Sequence, residues 1–324
     1  GALCSCPVTA EALTGALHAM AQQGNTPFGV YVTSPDYLGG VQELPALAAV
    51  CRAQDVPLLV DNAHGAYLRF LPQNCHPIAQ GAAMCCDSAH KTLPVVTGGA
   101  YLHLAHDAPV QDEAAVRGAL ALFGSTSPSY LILQSLDACN AVLAGDYPRR
   151  LVQCCAALEG LRRSLNKAAA ARQCPVPLAV AGAQQEPMKL TLDAAALGCT
   201  GTALADALRR AQLECEYADP RYVVLMFTPE NPPQDFERLQ TALEQLLAAV
   251  PAGLSRPENR AGEFAALQQQ AVQRCTIRQA VLGAQVRVPV HKALGRVCAM
   301  PTVSCPPAIP CLLYTSPSPR DAHE

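Results

Sequence analysis

Apolar positions along this chain fall into two alternating rhythms, and that alternation is the first fold signal. From Val8 to about Gln23, Leu13, Leu17 and Met20 recur at helical spacing, with Thr9 placed to cap and Glu11 in the first turn. The β-branched and aromatic run FGVYVTSP follows and ends in a turn. LPALAAVCRAQ then reads as a helix, VPLLVDNAHG as a buried strand, AAMCCDSAHK as another strand and turn, and GGAYLHLA as a third strand. Strands separated by helical segments predict a largely parallel sheet covered on both faces. Asp61 and Lys91 both fall at strand carboxyl ends, where such sheets gather their chemistry.

Further along, a turn, FGSTSPSY, precedes the helical stretch LILQSLDACNAVLAG, and Leu151 to Ala171 forms a long amphipathic helix with Leu158, Leu161 and Leu165 on one face. The Pro-bearing CPVPLAVAGAQQEP marks a boundary. Beyond it MKLTLDAAAL, the helix GTALADALRRAQL, the strand YVVLMFTP and the helix DFERLQTALEQLLAAV alternate as an α+β pattern. The expected organisation is a large domain over 1–175 and a smaller one over 176–310. The first residues run into a helix without a natural-looking start, so the chain is expected to begin mid-domain. CLLYTSPSPRDA breaks the preceding pattern and resembles a translated transposase-type sequencing adapter, so residues 311–324 are set apart from the fold.

Composition narrows the function class. Half of the 324 residues are hydrophobic and only 15% are charged, which is a folding composition with room for a large core. A net charge of -3 with scattered Lys and Arg excludes a phosphate-neutralising surface, so no nucleic acid is expected. No apolar stretch reaches the ~18 residues that a membrane span requires. The 16 cysteines include two CC pairs inside apolar or helical runs. They read as reduced, buried thiols of a cytosolic protein rather than a disulfide framework. No metal is expected: there is no C-x-x-C knuckle, and the histidines, among them His64, His76 and His90, never pair at the H-E-x-x-H spacing. P-loop and dinucleotide fingerprints are also absent.

The chemistry concentrates in two segments. In LLVDNAHGAYLRF an apolar strand delivers Asp61, a carboxylate that needs a cationic partner when buried. A protonated pyridine nitrogen would supply that partner through a charge-assisted hydrogen bond. Ala63 is small enough to let a flat ring approach the backbone, and His64 follows it. Thirty residues after Asp61, CCDSAHKTLP places Lys91 after a second apolar strand, where it would be drawn into the interior, lose its proton and form an imine. Ser88 and His90 stand beside it, placed to bind phosphate oxygens. Alone, a strand-end Asp is usually a cap and a strand-end Lys usually a solvated residue. It is the order that points to a pyridoxal 5'-phosphate (PLP) site: strand, D-x-A-H, about thirty residues, strand, S-x-H-K.

With TSPDYLGG, VDNAHGAYLRF, HPIAQGA, DSAHKTLP, FGSTSPSYLILQSLD, EPMKLTL, CEYADPRYVVLMFTP and GRVCAMPTVSCPPAIP, the chain resembles the Orn/Lys/Arg decarboxylase family over nearly all of residues 1–310. The resemblance implies an α/β PLP-dependent transferase-like fold of type I (the aspartate aminotransferase fold). Its large domain would have a mostly parallel sheet, followed by a smaller α+β C-terminal domain. It implies that Lys91 forms the internal aldimine, that Asp61 pairs with the pyridine nitrogen, and that Ser88 and His90 lie at the phosphate, His90 also acting in catalysis. It implies a homodimer in which Thr126 and Ser127 reach the partner's phosphate site. The implied reaction is decarboxylation of arginine, lysine or ornithine, with Glu216 and Glu186 as candidate carboxylates for the distal cation of the amino acid. In the family a phosphate loop and a ring-stacking residue belong upstream of Gly1. Another reaction on the same scaffold, such as aminotransfer, and an inactive fragment or pseudoenzyme are the alternative readings.

Overall fold

The computed structural model describes residues 7–124, 127–178, 185–251, 276–284 and 286–292. Helix α1 (Ala10–Gln22) starts where Thr9 accepts a hydrogen bond from Ala12 N, and it buries Leu13 and Leu17. Strand β1 (Val30–Thr33), helix α2 (Leu44–Ala53), β2 (Leu58–Asp61), β3 (Met84–Asp87), the single-turn α3 (Ala89–Thr92) and β4 (Tyr101–Leu104) follow in order. They form a four-stranded sheet in the order β1-β2-β3-β4. The first three strands are parallel and β4 runs antiparallel to β3. The 88–100 connection holds only the single turn of α3, whereas a parallel crossover is usually carried by a full helix.

The sheet departs from the expectation of cover on both faces. Val32, Val60 and Cys85 point one way and are buried with α1 and α2. The opposite pleat carries Tyr31, Asp61, Cys86 and Leu102 and is largely open among the described residues, with Tyr31 63% exposed. Alternation along each strand puts these two sets on opposite sides.

Helix α4 (Glu113–Phe123), capped by Asp112, was not foreseen and buries none of its residues; α5 (Tyr130–Ala144) buries only Cys139. Helix α6 (Tyr147–Ala171) begins one turn before the expected Leu151, because Pro148 suits a first helical turn, where its missing N–H goes unneeded. Its buried stripe of Leu151, Leu158, Leu161 and Leu165 packs into the larger core. Full burial of each such leucine contributes about 2–3 kcal/mol. That core continues into β5 (Lys189–Asp193), α7 (Gly201–Arg210), β6 (Tyr217–Ala218), β7 (Tyr222–Met226) and α8 (Pro233–Ala249); β5, β7 and β6 form a three-stranded antiparallel sheet in that order. A short α9 (Ile277–Leu282) stands under a capping box from Thr276 and Gln279. All described cysteines are free.

The two sheets are joined by the loop that follows β1. Lys189 Nζ donates to the carbonyls of Asp36 (3.3 Å) and Tyr37 (3.2 Å), Thr191 Oγ1 to Leu38 (2.6 Å), and Glu186 N to Gly39 (2.8 Å). These bonds hold Tyr37 against the carboxyl edge of the first sheet.

Candidate active site

Parallel pairing of β2 and β3 makes Asp61 and Cys86 register partners, so the segments that follow them leave the same sheet edge. Asp61 Oδ1 accepts from Ala63 N at 3.0 Å, closing an Asx turn, and Oδ2 accepts from Tyr31 Oη at 3.2 Å. The carboxylate is thereby oriented while part-exposed. Gly65 lets the turn close: a Cβ there would stand 2.0 Å from Asn62 Oδ1 and 2.8 Å from Pro35 Cδ. The turn presents His64, whose Nε2 lies 3.3 Å from Lys91 Nζ.

His64 is 7% exposed. Burial, followed by the charges of Lys189 and Lys91, lowers its pKa from 6.5 to about 3, so the ring is neutral at neutral pH. A neutral Nε2 accepts from the Lys91 ammonium. Among the described residues Nδ1 is buried without a hydrogen-bond partner, the kind of orphaned polar atom that a bound group satisfies. Between pH 6.5 and about 3 the unfolded chain takes up a proton at His64 that the folded chain refuses, so acidification destabilises the protein. From pH 7 to pH 5 this costs about 2 kcal/mol. Urea midpoints at both pH values, compared with those of His64→Asn, should show the variant losing that share of the pH dependence.

Lys91 departs from its expected place: it is exposed rather than drawn inward, because α3 is one turn long and ends at the sheet edge. Ser88 is the N-cap residue of that turn, with its carbonyl accepting from Lys91 N at 3.0 Å and its hydroxyl making no cap bond. His90 Nδ1 donates to Gly99 O at 3.0 Å, which fixes the ring and leaves Nε2 as its remaining polar atom. Ser127 is exposed, and Thr126 lies outside the described residues.

The two candidate substrate carboxylates part company. Glu216 is exposed and accepts from Tyr37 Oη at 3.2 Å, and the Tyr37 ring meets His64 edge-on with centroids 5.4 Å apart. Tyr37 thus links Glu216 to the residue beside Lys91. Glu186 is 2% exposed, and its Oε2 accepts from Tyr67 Oη and from Met188 N at 2.7 Å. Burial raises its pKa against the charge of Lys189, and burial lowers that of Lys189 against the charge of Glu186. Glu186 is therefore an internal packing group here and not a substrate-facing carboxylate. Tyr37 and Lys189 escaped the sequence reading although TSPDYLGG and EPMKLTL contain them, since neither had a chemical signature until the loop and the second sheet met.

A family model described as "Orn/Lys/Arg decarboxylase, major domain" matches residues 4–234. The chain belongs to this family. Orn/Lys/Arg decarboxylases are PLP-dependent enzymes, and the Asp61, His64 and Lys91 set is a donor set that fits that cofactor: a carboxylate, an orphaned imidazole nitrogen and a primary amine at one sheet edge. The chain is 27% identical over 290 residues to an arginine decarboxylase of Bacillus subtilis, covering 87% of this chain and 57% of that protein. It is 33% identical over 205 residues to the uncharacterized protein YaaO of the same organism, covering 61% and 41%. The chain thus matches only 57% and 41% of the lengths of these curated relatives. Among solved structures, the lysine decarboxylase LdcF of Francisella novicida aligns with a TM-score of 0.58 at 20% identity, covering 73% of this chain and 38% of that one. A pyridoxamine-pyruvate aminotransferase from Mesorhizobium loti aligns at 0.57 and 18%, covering 82% and 70%. Both show the fold, the α/β type I architecture of PLP enzymes. Among the described residues no helix is long and apolar enough to cross a membrane.

Proposed function

We propose that this family member serves the PLP-dependent decarboxylation of arginine, lysine or ornithine. One observation carries the reading: Asp61 and Lys91 leave the same carboxyl edge of adjacent parallel strands, with neutral His64 between their segments and in contact with the Lys91 amine. Bound PLP supplies an electron sink for the pair left on Cα when carbon dioxide departs. Lys91, exposed at the sheet edge, would hold the cofactor through its side-chain amine. Asp61, held by Ala63 and Tyr31, keeps the proton on the pyridine nitrogen. Ala63 and His64 border the ring, and Ser88 and His90 serve the phosphate. Glu216 receives the distal cation of a basic amino acid, with Tyr37 setting its position.

Residues 1–175 serve in this reading as the cofactor-binding unit and 176–310 as the smaller domain that brings Glu216. The partner is a second copy of the chain. On either side of residues 124–129, Leu122 (79%), Phe123 (93%), Tyr130 (83%) and Leu131 (64%) are exposed apolar groups of the kind that subunit association covers. They flank Thr126 and Ser127, the residues assigned to the partner's phosphate. The test is incubation of the full-length protein with PLP and each of the three amino acids, measuring carbon dioxide and the corresponding amine. Both products should appear with at least one substrate. Neither product with any of the three overturns the proposal.

A further inference from the structure

A second cluster of chemistry-bearing side chains lies on the other face of the sheet from Asp61. Cys85 and His103 are register partners on β3 and β4 and so stand side by side. Asp87 lies two residues beyond Cys85 on the same pleat. His76 is brought over them by the segment that precedes β3. The ligand atoms of His76, Cys85 and Asp87 all lie within 4.8 Å of one another. His76 Nε2 and His103 Nε2 are each 3.1 Å from Asp87 Oδ2, and Cys85 Sγ is 3.7 Å from His76 Nε2 and 3.9 Å from Asp87 Oδ1.

We infer that His76, Cys85, Asp87 and His103 form a binding site for a divalent transition metal of the zinc class. In a tetrahedral site with bonds of about 2.0 Å to N and O and about 2.3 Å to S, ligand atoms stand about 3.3 Å apart for N and O pairs and about 3.6 Å apart for pairs with sulfur. Three of these, the two 3.1 Å distances to Asp87 Oδ2 and the 3.7 Å distance from Cys85 to His76, lie within a few tenths of an ångström of those edges, while the 3.9 Å from Cys85 runs to the other carboxylate oxygen. One thiolate, two imidazoles and one carboxylate suit a borderline-soft ion. Asn62 Nδ2 donates to Asp87 Oδ1 at 2.7 Å and so orients the carboxylate from behind, leaving Oδ2 for the ion. The side chains of His76 and Asp87 are 6% and 3% exposed, while that of His103 is 39% exposed. A cavity of about 560 Å³ lined by His76, Asp87, His103, Asn74 and Arg69 gives the ion a way in.

Without metal the same groups bond to each other: Ile78 N donates to His76 Nδ1 at 3.4 Å, so the imidazole proton sits on Nε2 and bonds to Asp87. On loading, that proton moves to Nδ1 in place of the long Ile78 contact, and the proton by which His103 Nε2 bonds to Asp87 Oδ2 likewise moves to the Nδ1 of His103. The Cys85 thiol releases its proton to water, and four protein–metal bonds form without any redox change. Four protein ligands make a closed, structural site. It would pin the end of β3, four residues before Lys91, to β4 and to the 71–81 segment.

The experiment loads the full-length protein with Zn²⁺, passes it through gel filtration and counts bound metal, then repeats the loading with Co²⁺ and records its spectrum. No PLP or amino acid is present, so the outcome is independent of the decarboxylase reading. About one zinc per chain should remain, and Co²⁺ should show tetrahedral ligand-field bands with a thiolate charge-transfer band. Cys85→Ser should abolish the charge-transfer band, and Asn62→Ala should weaken retention by about 10–100-fold. His103→Gln, at a part-exposed position, serves if the Cys85 variant fails to fold, and should lower retention in a protein with unchanged circular dichroism. No retained zinc, or a Co²⁺ spectrum of the folded wild type without the thiolate band, overturns the assignment.

Discussion

Replacing Lys91 by alanine is expected to lower turnover of the full-length protein by at least about 10⁴-fold, roughly 5 kcal/mol in barrier height. Lys91 is the amine at the sheet edge that contacts neutral His64 and is exposed enough to meet an incoming cofactor. The visible absorbance of lysine-bound cofactor should vanish with it. Borohydride reduction followed by peptide mapping should place the label on the DSAHK peptide of the wild type and nowhere in the variant. The discriminating competitor is Lys189, which shares the neighbourhood of His64 but is 1% exposed and donates to two backbone carbonyls. A label found on Lys189, or turnover that survives in Lys91→Ala, would sink the assignment.

Asp61→Asn is expected to cut kcat by on the order of 10³-fold while KM changes little. The carboxylate is already oriented by Ala63 N and Tyr31 Oη, so the amide keeps the shape and loses the charge. Its charge is needed most where electrons enter the cofactor ring, and an interaction that strengthens at that point governs kcat rather than KM. Tyr31→Phe removes one of the two orienting bonds and should cost far less. Steady-state kinetics of the three proteins decide: a raised KM with unchanged kcat in Asp61→Asn would assign Asp61 to substrate binding instead.

Much of the molecule was legible in the order of its residues. The helices α1, α2, α6, α7 and α8 and the strands β1 to β5 and β7 follow periodicities that burial enforces, and Thr9 caps α1 as its hydroxyl dictates. That Asp61 ends one strand and Lys91 follows closely on the next was readable from the apolar runs before them. Helix α4 was not, since among the described residues Glu113–Phe123 buries nothing and its spacing had no core to report. The depth of Lys91 was also beyond reach, because it depends on α3 stopping after one turn at the edge of the sheet.

Candidate roles diverged for the same reason. Glu186 and Glu216 look alike as acids in a sequence, yet one sits under Tyr67 in the core and the other stands exposed beside Tyr37. The expectation of no metal rested on local spacing, and His76, Cys85, Asp87 and His103 have none of the helical i, i+4 kind. What brings them together is the antiparallel register of β3 with β4, which sets Cys85 opposite His103. By itself, then, the sequence determined most of the elements, which follow from hydrophobic periodicity along the chain, while its motifs carried the resemblance to the family. Only the tertiary structure decided which carboxylate is exposed, where Tyr37 stands and which three side chains gather around Asp87. Strand register and pleat direction are relations between distant segments, and no local pattern encodes them.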